Sequence, residues 1–337
     1  MPASPAISVV MAVHDAHRHL AAAIRSVLAQ SFRDFELILV DDGGLDRSMD
    51  VSGQLGDPRV RVVRHSGLAG ARNCGIAAAC GAYVALLDGC DLWHPDKLRL
   101  HMVHLRLSGV DVSCCGSQLI DAAGDLLGVR QAPWLGRVLP QDVFCGRVIR
   151  NRSVPVIRRS LLEAATLPAT ADGRVQYFDE SLRPSEDVEC WTRLAFRTQA
   201  RFGSIDEDLT FHRIGVAGLS ADVIRRLESW EAVCGMVAQY APAFIGRFGR
   251  QARARALRSL AGRSLRQRDR GLAWRLAIDA IRAWPQLCLR EPRSTLSTLA
   301  ACLVLRAVPS GVFAALAGIA GSTRPQLARC RRGVAGG

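Results

Sequence analysis

The chain has 337 residues, 49% of them hydrophobic and 22% charged, which excludes a disordered polypeptide and allows two domains or one large domain with an appendage. Its net charge of +13 is unevenly placed: residues 221–337 hold 20 basic and 6 acidic side chains, whereas residues 1–220 hold 24 and 25. Eleven cysteines, an odd number with no CxxC pair, fit a reduced cytoplasmic compartment rather than a disulfide framework.

The apolar run Ile7–Val13 predicts a buried strand rather than the core of a signal peptide, and Leu20, Ile24, Val27 and Leu28 then fall on one face of a helix. Strands are predicted over 36–40, 60–63, 83–87 and 110–113, with a helix over about 69–79 and another opened by Pro95. Strands alternating with helices imply right-handed crossovers and a mostly parallel central sheet flanked by helices, an α/β domain over 1–220. A hairpin around Ala123-Gly124, a helix near 136–145, a strand near 154–157, a helix capped by Ser185 and a strand over 205–211 complete it. Residues 221–337 read as a basic α-helical appendage broken at Pro242, Pro285 and Pro309. Its longest uncharged stretch, 17 residues over 307–323, is interrupted by Pro309 and three glycines, so no membrane span is expected.

Two acidic clusters, Asp41-Asp42 and Asp88-Gly89-Cys90-Asp91, fall at strand carboxyl ends, where open α/β sheets bind ligands. Neither GxGxxG nor GxxxxGK[ST] is present, so a nucleotide diphosphate bound there must have its charge met by a metal or by arginines. Carboxylates at a strand end can hold Mg²⁺ or Mn²⁺, and Gly89 would let the backbone approach the ligand closely. The other reading of such acids is as turn formers and helix caps.

These residues carry a resemblance. Ile7–Val13 followed by His14-Asp15, Ser26-Val27-Leu28-Ala29-Gln30-Ser31-Phe32, Val40-Asp41-Asp42-Gly43 with Asp46, and Ala71-Arg72-Asn73-Cys74-Gly75-Ile76 resemble the family 2 glycosyltransferases. So do Leu87-Asp88-Gly89-Cys90-Asp91-Leu92-Trp93 and Pro95-Asp96-Lys97-Leu98, in the family's order and spacing. The resemblance thins through Ser185-Glu186-Asp187, Trp191, Arg193 and Leu194 to about Ser220.

The resemblance implies a GT-A fold, a nucleotide-sugar donor that is usually UDP-linked, and inversion at the anomeric carbon. It places Val13 and Asp15 at the nucleoside, Asp42 on the uracil ring, and Arg72 near the base or diphosphate. Asp88 and Gly89 fall at the donor, and Asp88, Cys90 and Asp91 on the metal-binding segment. Asp187 becomes the general base. Glu186, Trp191, His212 and Arg213 lie on the acceptor or diphosphate side, and Asn151-Arg152 and Arg158-Arg159 beside the acceptor, although these arginines read equally well as solvated loop residues. In the first turn of a helix, Glu186 and Asp187 also read simply as acids that favour the helix dipole. That dipole would lower the pKa of Asp187 and weaken it as a base unless burial offsets it.

Two positions depart from the family pattern: Cys90 stands where the main metal ligand is normally Asp, and Gly215 where a histidine is usual. Three readings stay open: a divalent cation on Asp88 or Asp91 with the Cys90 sulfur, which Mn²⁺ tolerates better than Mg²⁺; positive charge from Arg72, His212 or Arg213 without metal; or lost turnover. The expected function is an inverting hexosyl- or N-acetylhexosaminyl-transferase acting on a glycan or lipid-linked glycan in bacterial surface polysaccharide synthesis. A non-catalytic nucleotide-sugar-binding or membrane-scaffolding protein is the alternative. Nine arginines over 247–270 suit an anionic membrane surface on the inner face of the cell membrane, or else a solvated helical bundle. No nucleic-acid partner is expected, because no nucleic-acid-binding motif accompanies the charge.

Overall fold

The structure is a computed structural model and describes residues 4–13, 17–41, 56–65, 70–214 and 220–307. Asp15, Asp42, Asp46 and Gly215 lie outside the described residues, as does the apolar stretch beyond 307. Four strands, β1 (Ile7–Val13), β2 (Phe35–Asp41), β3 (Val60–Arg64) and β4 (Tyr83–Leu86), pair in parallel in the order β3-β2-β1-β4. Their alternation sorts side chains to the two faces. Val9, Met11 and Val13 join Leu20, Ile24 and Val27 of α1 (His17–Leu28) on one face. Val10, Ile38 and Val40 pack on the other with Ile76 of α2 (Ala71–Ala77). Gly75 is required there because a Cβ would strike the side chains of Val10 and Val40. The predicted strands at 7–13, 36–40, 60–63 and 83–87 are therefore present.

Beyond β4 the sheet becomes mixed. The short β5 (Leu92–Trp93) leads into α3 (Lys97–Ser108), and β6 (Val112–Ile120) turns through Gly124 at φ 95° into β7 (Leu126–Gln131), the predicted hairpin. The helix expected near 136–145 is only α4 (Pro140–Phe144). β8 (Val156–Arg158) inserts between β4 and β6, antiparallel to both, and is followed by α5 (Arg159–Ala164). After α6 (Glu186–Arg197), β9 (Phe202–Arg213) runs parallel to β6 and antiparallel to β5. The parallel expectation thus describes β1 to β4 and the β6–β9 pair. The turn and loop ends between them bring β8 back the other way.

The helices that follow are α7 (Ser220–Tyr240), α8 (Pro242–Arg266), α9 (Arg270–Ala283), α10 (Leu287–Arg290) and α11 (Pro292–Ala307). The chain divides into compact units 1–252 and 253–337, so the charge shift at 221 is not the packing boundary. α7 buries Val223, Trp230, Val233 and Val237, and Ser229 Oγ accepts the Ser185 N–H at 3.1 Å while donating to the Leu182 carbonyl. Phe144, Phe196, Trp230 and Phe244 pack ring against ring in the same unit, Phe244 edge-on to Phe144 and Phe196. In the second unit Glu291 takes Arg255 and Arg258 at 2.5 Å each, so part of the basic charge is paired internally. Among the described residues no helix is long and apolar enough to cross a membrane.

Candidate active site

Strand register assembles the site. Because β8 runs antiparallel to β4 with Ala85 opposite Val156, continuing the ladder puts Asp88 opposite Ser153, and the Asp88 N–H donates to Ser153 Oγ at 3.1 Å. Likewise Leu92 faces Phe211, and one step on, Asp91 meets His212. Asp88-Gly89-Cys90-Asp91 is a tight turn, closed by the Asp91 N–H on the Asp88 carbonyl at 3.0 Å. The same register carries Arg158 opposite Tyr83, at the far end of β4. Arg159 there donates to the Gly81 carbonyl at 2.7 Å. Arg158 and Arg159 are thus removed from the site, whereas Arg152 is drawn into it.

Asp91 is fully buried. Its carboxylate accepts from Ser153 Oγ at 2.7 Å and from the Arg213 N–H at 2.9 Å, and His212 Nδ1 lies 3.1 and 3.2 Å from its two oxygens. The Arg213 guanidinium is spent on the Cys90, Asp121 and Ala122 carbonyls at 2.8, 2.7 and 3.0 Å. Asp91 and Arg213, expected at the metal and the diphosphate, instead form a buried clasp between the turn and β9. Burial alone would lower the pKa of His212, but the hydrogen bond and charge of Asp91, with Asp88, outweigh it and raise it.

The remaining charges form a second cluster. Arg152 reaches Asp88 Oδ2 at 3.4 Å and Glu186 Oε1 at 3.2 Å, and Arg72 holds the same Glu186 oxygen at 2.6 Å. Burial pushes the Asp88 carboxyl up, but the charges of Arg152, Arg72 and His212 prevail and hold it below the usual value. Glu186 is lowered for the same reason, Arg72 and Arg152 overcoming its burial. Asp187 differs. Burial raises its pKa, Glu186 adds to the rise, and Arg152 and Arg72 only partly counter it. Its Oδ1 accepts the Val188 N–H at 3.0 Å.

Asn73 explains why this cluster closes. Its Oδ1 accepts the Tyr177 and Phe178 N–H groups at 3.0 and 2.9 Å, and its Nδ2 donates to the Phe178 carbonyl and to Glu180, both at 2.9 Å. The loop before α6 is thereby tied to α2, which brings Glu186 to Arg72. Two expected contacts are not made by side chains. Trp191 is buried edge-on to Phe178 in the core, with ring centroids 5.5 Å apart. The Val13 side chain is also in the core, so only its backbone, paired with Asp41, borders the strand ends.

The expected metal set of Asp88, Cys90 and Asp91 does not fit a divalent cation. Mg²⁺ and Mn²⁺ favour oxygen ligands with free lone pairs, Mn²⁺ tolerating a sulfur better than Mg²⁺. The Asp91 oxygens already face three donors. Cys90 offers a soft sulfur where these hard cations favour oxygen. Asp88 has the Arg152 guanidinium 3.4 Å from Oδ2, a positive charge that a cation bound there would have to face. Among the described residues no group of three or more His, Cys, Asp or Glu side chains could hold a metal ion.

Residues 8–164 match the model of the family described as Glycosyl transferase family 2. The succinoglycan biosynthesis protein ExoO of Rhizobium meliloti is 30% identical over 243 residues, covering 65% of this chain and 67% of that one. S. aureus TarS 1–349, solved in complex with UDP-GlcNAc, is similar in structure with a TM-score of 0.53 at 15% identity, over 91% of this chain and 83% of that one. The mannosyltransferase PcManGT of Pyrobaculum calidifontis, solved with GDP-Man and Mn²⁺, gives 0.54 at 17% identity, over 95% and 81%. These two are likenesses of fold, the GT-A arrangement of a curled mixed sheet between helices. The matched segment runs through the strand-end turn and on past Arg152 and Ser153, and the likeness to ExoO extends over two-thirds of that protein: the chain belongs to glycosyl transferase family 2.

Proposed function

We propose that the chain moves a sugar from a UDP-linked donor onto a hydroxyl of a glycan or lipid-linked glycan, inverting the anomeric carbon, as a hexosyl- or N-acetylhexosaminyl-transferase of surface polysaccharide assembly. Asp187 carries this reading: a half-buried carboxylate whose proton affinity is raised, beside carboxylates held ionised by arginines. In a single displacement the acceptor hydroxyl gives its proton to Asp187 while its oxygen attacks C1 from the face opposite the leaving diphosphate. One base suffices, unlike the two carboxylates of a glycosidase. Glu186 positions Arg72 and Arg152 rather than meeting the acceptor itself. Asp15 and Asp42 are assigned to the nucleoside by the resemblance, and Asp41, next to Asp42, closes β2 beside Val13. The names of ExoO and of the TarS complex support the polysaccharide context and the UDP-linked donor.

The test is a panel of UDP- and GDP-sugars with a hydroxyl acceptor, the product anomer being read by NMR. Consumption of a UDP-sugar with inverted configuration is expected; retained configuration, or no product from any donor, would overturn the assignment. A second reading, a donor-binding protein without turnover, is favoured by Cys90 and Gly215 standing where the family normally has Asp and His. Nucleotide-sugar binding without product would select it.

For the basic region we propose an anionic membrane face as partner, which would make the protein peripheral. Leu296, Ala300, Leu303, Val304 and Ala307 lie exposed along one face of α11, with Arg293 and Arg306 also exposed. Such an apolar stripe with flanking cations suits a headgroup layer. The protein should co-sediment with vesicles containing anionic lipid and be released by raised salt, within a Debye length of ~8 Å at physiological ionic strength. Equal recovery with neutral vesicles would contradict an electrostatic contribution.

A further inference from the structure

We propose that Arg152 stands in for the divalent cation in this chain, pairing with the departing diphosphate so that transfer proceeds without metal. The inference rests on the transfer reaction proposed above. Asp88, Cys90 and Asp91 do not fit a divalent cation, so positive charge for the diphosphate must come from another group.

Arg213 is committed to three backbone carbonyls, and Arg72 is drawn tightly onto Glu186 at 2.6 Å. Arg152 is placed differently. Its backbone is fixed because the next residue, Ser153, is fully buried and bonded at both ends. Ser153 Oγ bridges Asp91 and the Asp88 N–H, and its carbonyl accepts from Trp93 Nε1 at 2.9 Å and from Thr210 at 3.3 Å. From this anchor the side chain emerges beside Asp88, the two being 25% and 29% exposed. Both of its contacts to carboxylates are single and long, 3.4 and 3.2 Å. A guanidinium has five N–H donors, so the planar fork retains donors for phosphate oxygens, the geometry at which arginine excels. A divalent cation bound to Asp88 would meet this fixed positive charge at close range, and like charges repel strongly in a partly buried site.

In the transfer step the acceptor oxygen uses a lone pair to form the new bond to C1. The bond from C1 to the β-phosphate oxygen breaks, and its electron pair stays on the diphosphate. The acceptor proton passes to Asp187. The charge gained by the leaving nucleoside diphosphate is met by Arg152, a group already oriented before the bond breaks, which is the condition for effective electrostatic stabilisation.

The test uses the full chain in three arms: transfer from the active donor in EDTA or in added Mn²⁺, binding of UDP by calorimetry under the same two conditions, and both repeated with Arg152→Ala and Arg152→Lys. We expect the wild-type rate to change less than about twofold between EDTA and Mn²⁺. Arg152→Ala should lower kcat by about 10²–10³, the range seen when one preorganised donor is removed, and Arg152→Lys should recover part of it. UDP binding should be metal-independent and weakened by Arg152→Ala. A rate abolished by EDTA and restored by Mn²⁺, or UDP binding that requires Mn²⁺, would overturn the inference and leave the transferase reading intact. So would an Arg152→Ala variant as fast as wild type. If Arg152→Ala fails to fold, the wild-type EDTA and binding arms decide alone. Absence of both turnover and UDP binding under every condition would overturn the transferase reading, and this inference with it.

Discussion

Asp187→Asn should abolish transfer, lowering kcat by about 10²–10⁴, the usual contribution of a positioned general base, while leaving the protein at least as stable as wild type. Two opposing influences act on this carboxylate. It sits in the first turn of α6, where the helix dipole favours the charged form. Burial and Glu186 favour the neutral form, and together they prevail over Arg152 and Arg72, so the pKa is raised. A raised pKa makes a better base, and the rate should climb with pH through a midpoint above the ~4 of an ordinary aspartate. The same shift fixes the stability consequence. Since the folded-state value exceeds the unfolded one, the favourable contribution is complete below the unfolded pKa and disappears as pH rises through the folded pKa. At neutral pH the ionised Asp187 is therefore a burden on the fold that asparagine does not carry. The Tm of Asp187→Asn relative to wild type should rise from acid to neutral pH, while activity is lost throughout. A variant that keeps more than a tenth of wild-type kcat would remove Asp187 from the base position.

The strands of the first half were legible because each is a continuous run of β-branched and apolar residues between turn signals, and both faces of β1 are buried. β5, with two residues, is too short for any period to register. The site was only half legible. Asp88 and Asp187 stood out because acids at a strand end and at a helix start are conspicuous types in conspicuous places. Arg152 was marked only by the resemblance, as lying beside the acceptor, and Ser153 not at all, since an arginine and a serine before a short strand also look like a solvated loop. What makes them central is the antiparallel return of β8 along β4, a pairing across about seventy residues of sequence that local patterning does not encode. Asp91 was misread for the complementary reason. Its type suits a metal ligand, and only the fold reveals that Ser153, His212 and the Arg213 backbone surround it. The composition break at 221 marked a change in arginine usage, whereas α7 packs by its apolar stripe into the first unit.

Asp91→Ala should be the most destabilising single change at the strand ends, lowering stability by about 3–5 kcal/mol, because removing one member of a buried charged network strands its partners. The Arg213 N–H and Ser153 Oγ would each lose an acceptor in a site that water does not reach, and the turn would lose its tie to β9. Asp91→Asn keeps an oxygen for those donors and should lose less than half as much. The histidine supplies a separate signature. His212 has its pKa raised by Asp91, so the stabilisation from this pair is complete below the ordinary histidine value of ~6.5 and is lost as pH rises through the folded-state value. Wild type should therefore shed an increment of stability across that window, and Asp91→Ala should not. Urea melts of the three proteins in EDTA, at pH 5.5 and pH 8.5, measure both effects. If Asp91 serves chiefly as a metal ligand, Asp91→Ala will melt like wild type in EDTA and differ only when Mn²⁺ is added.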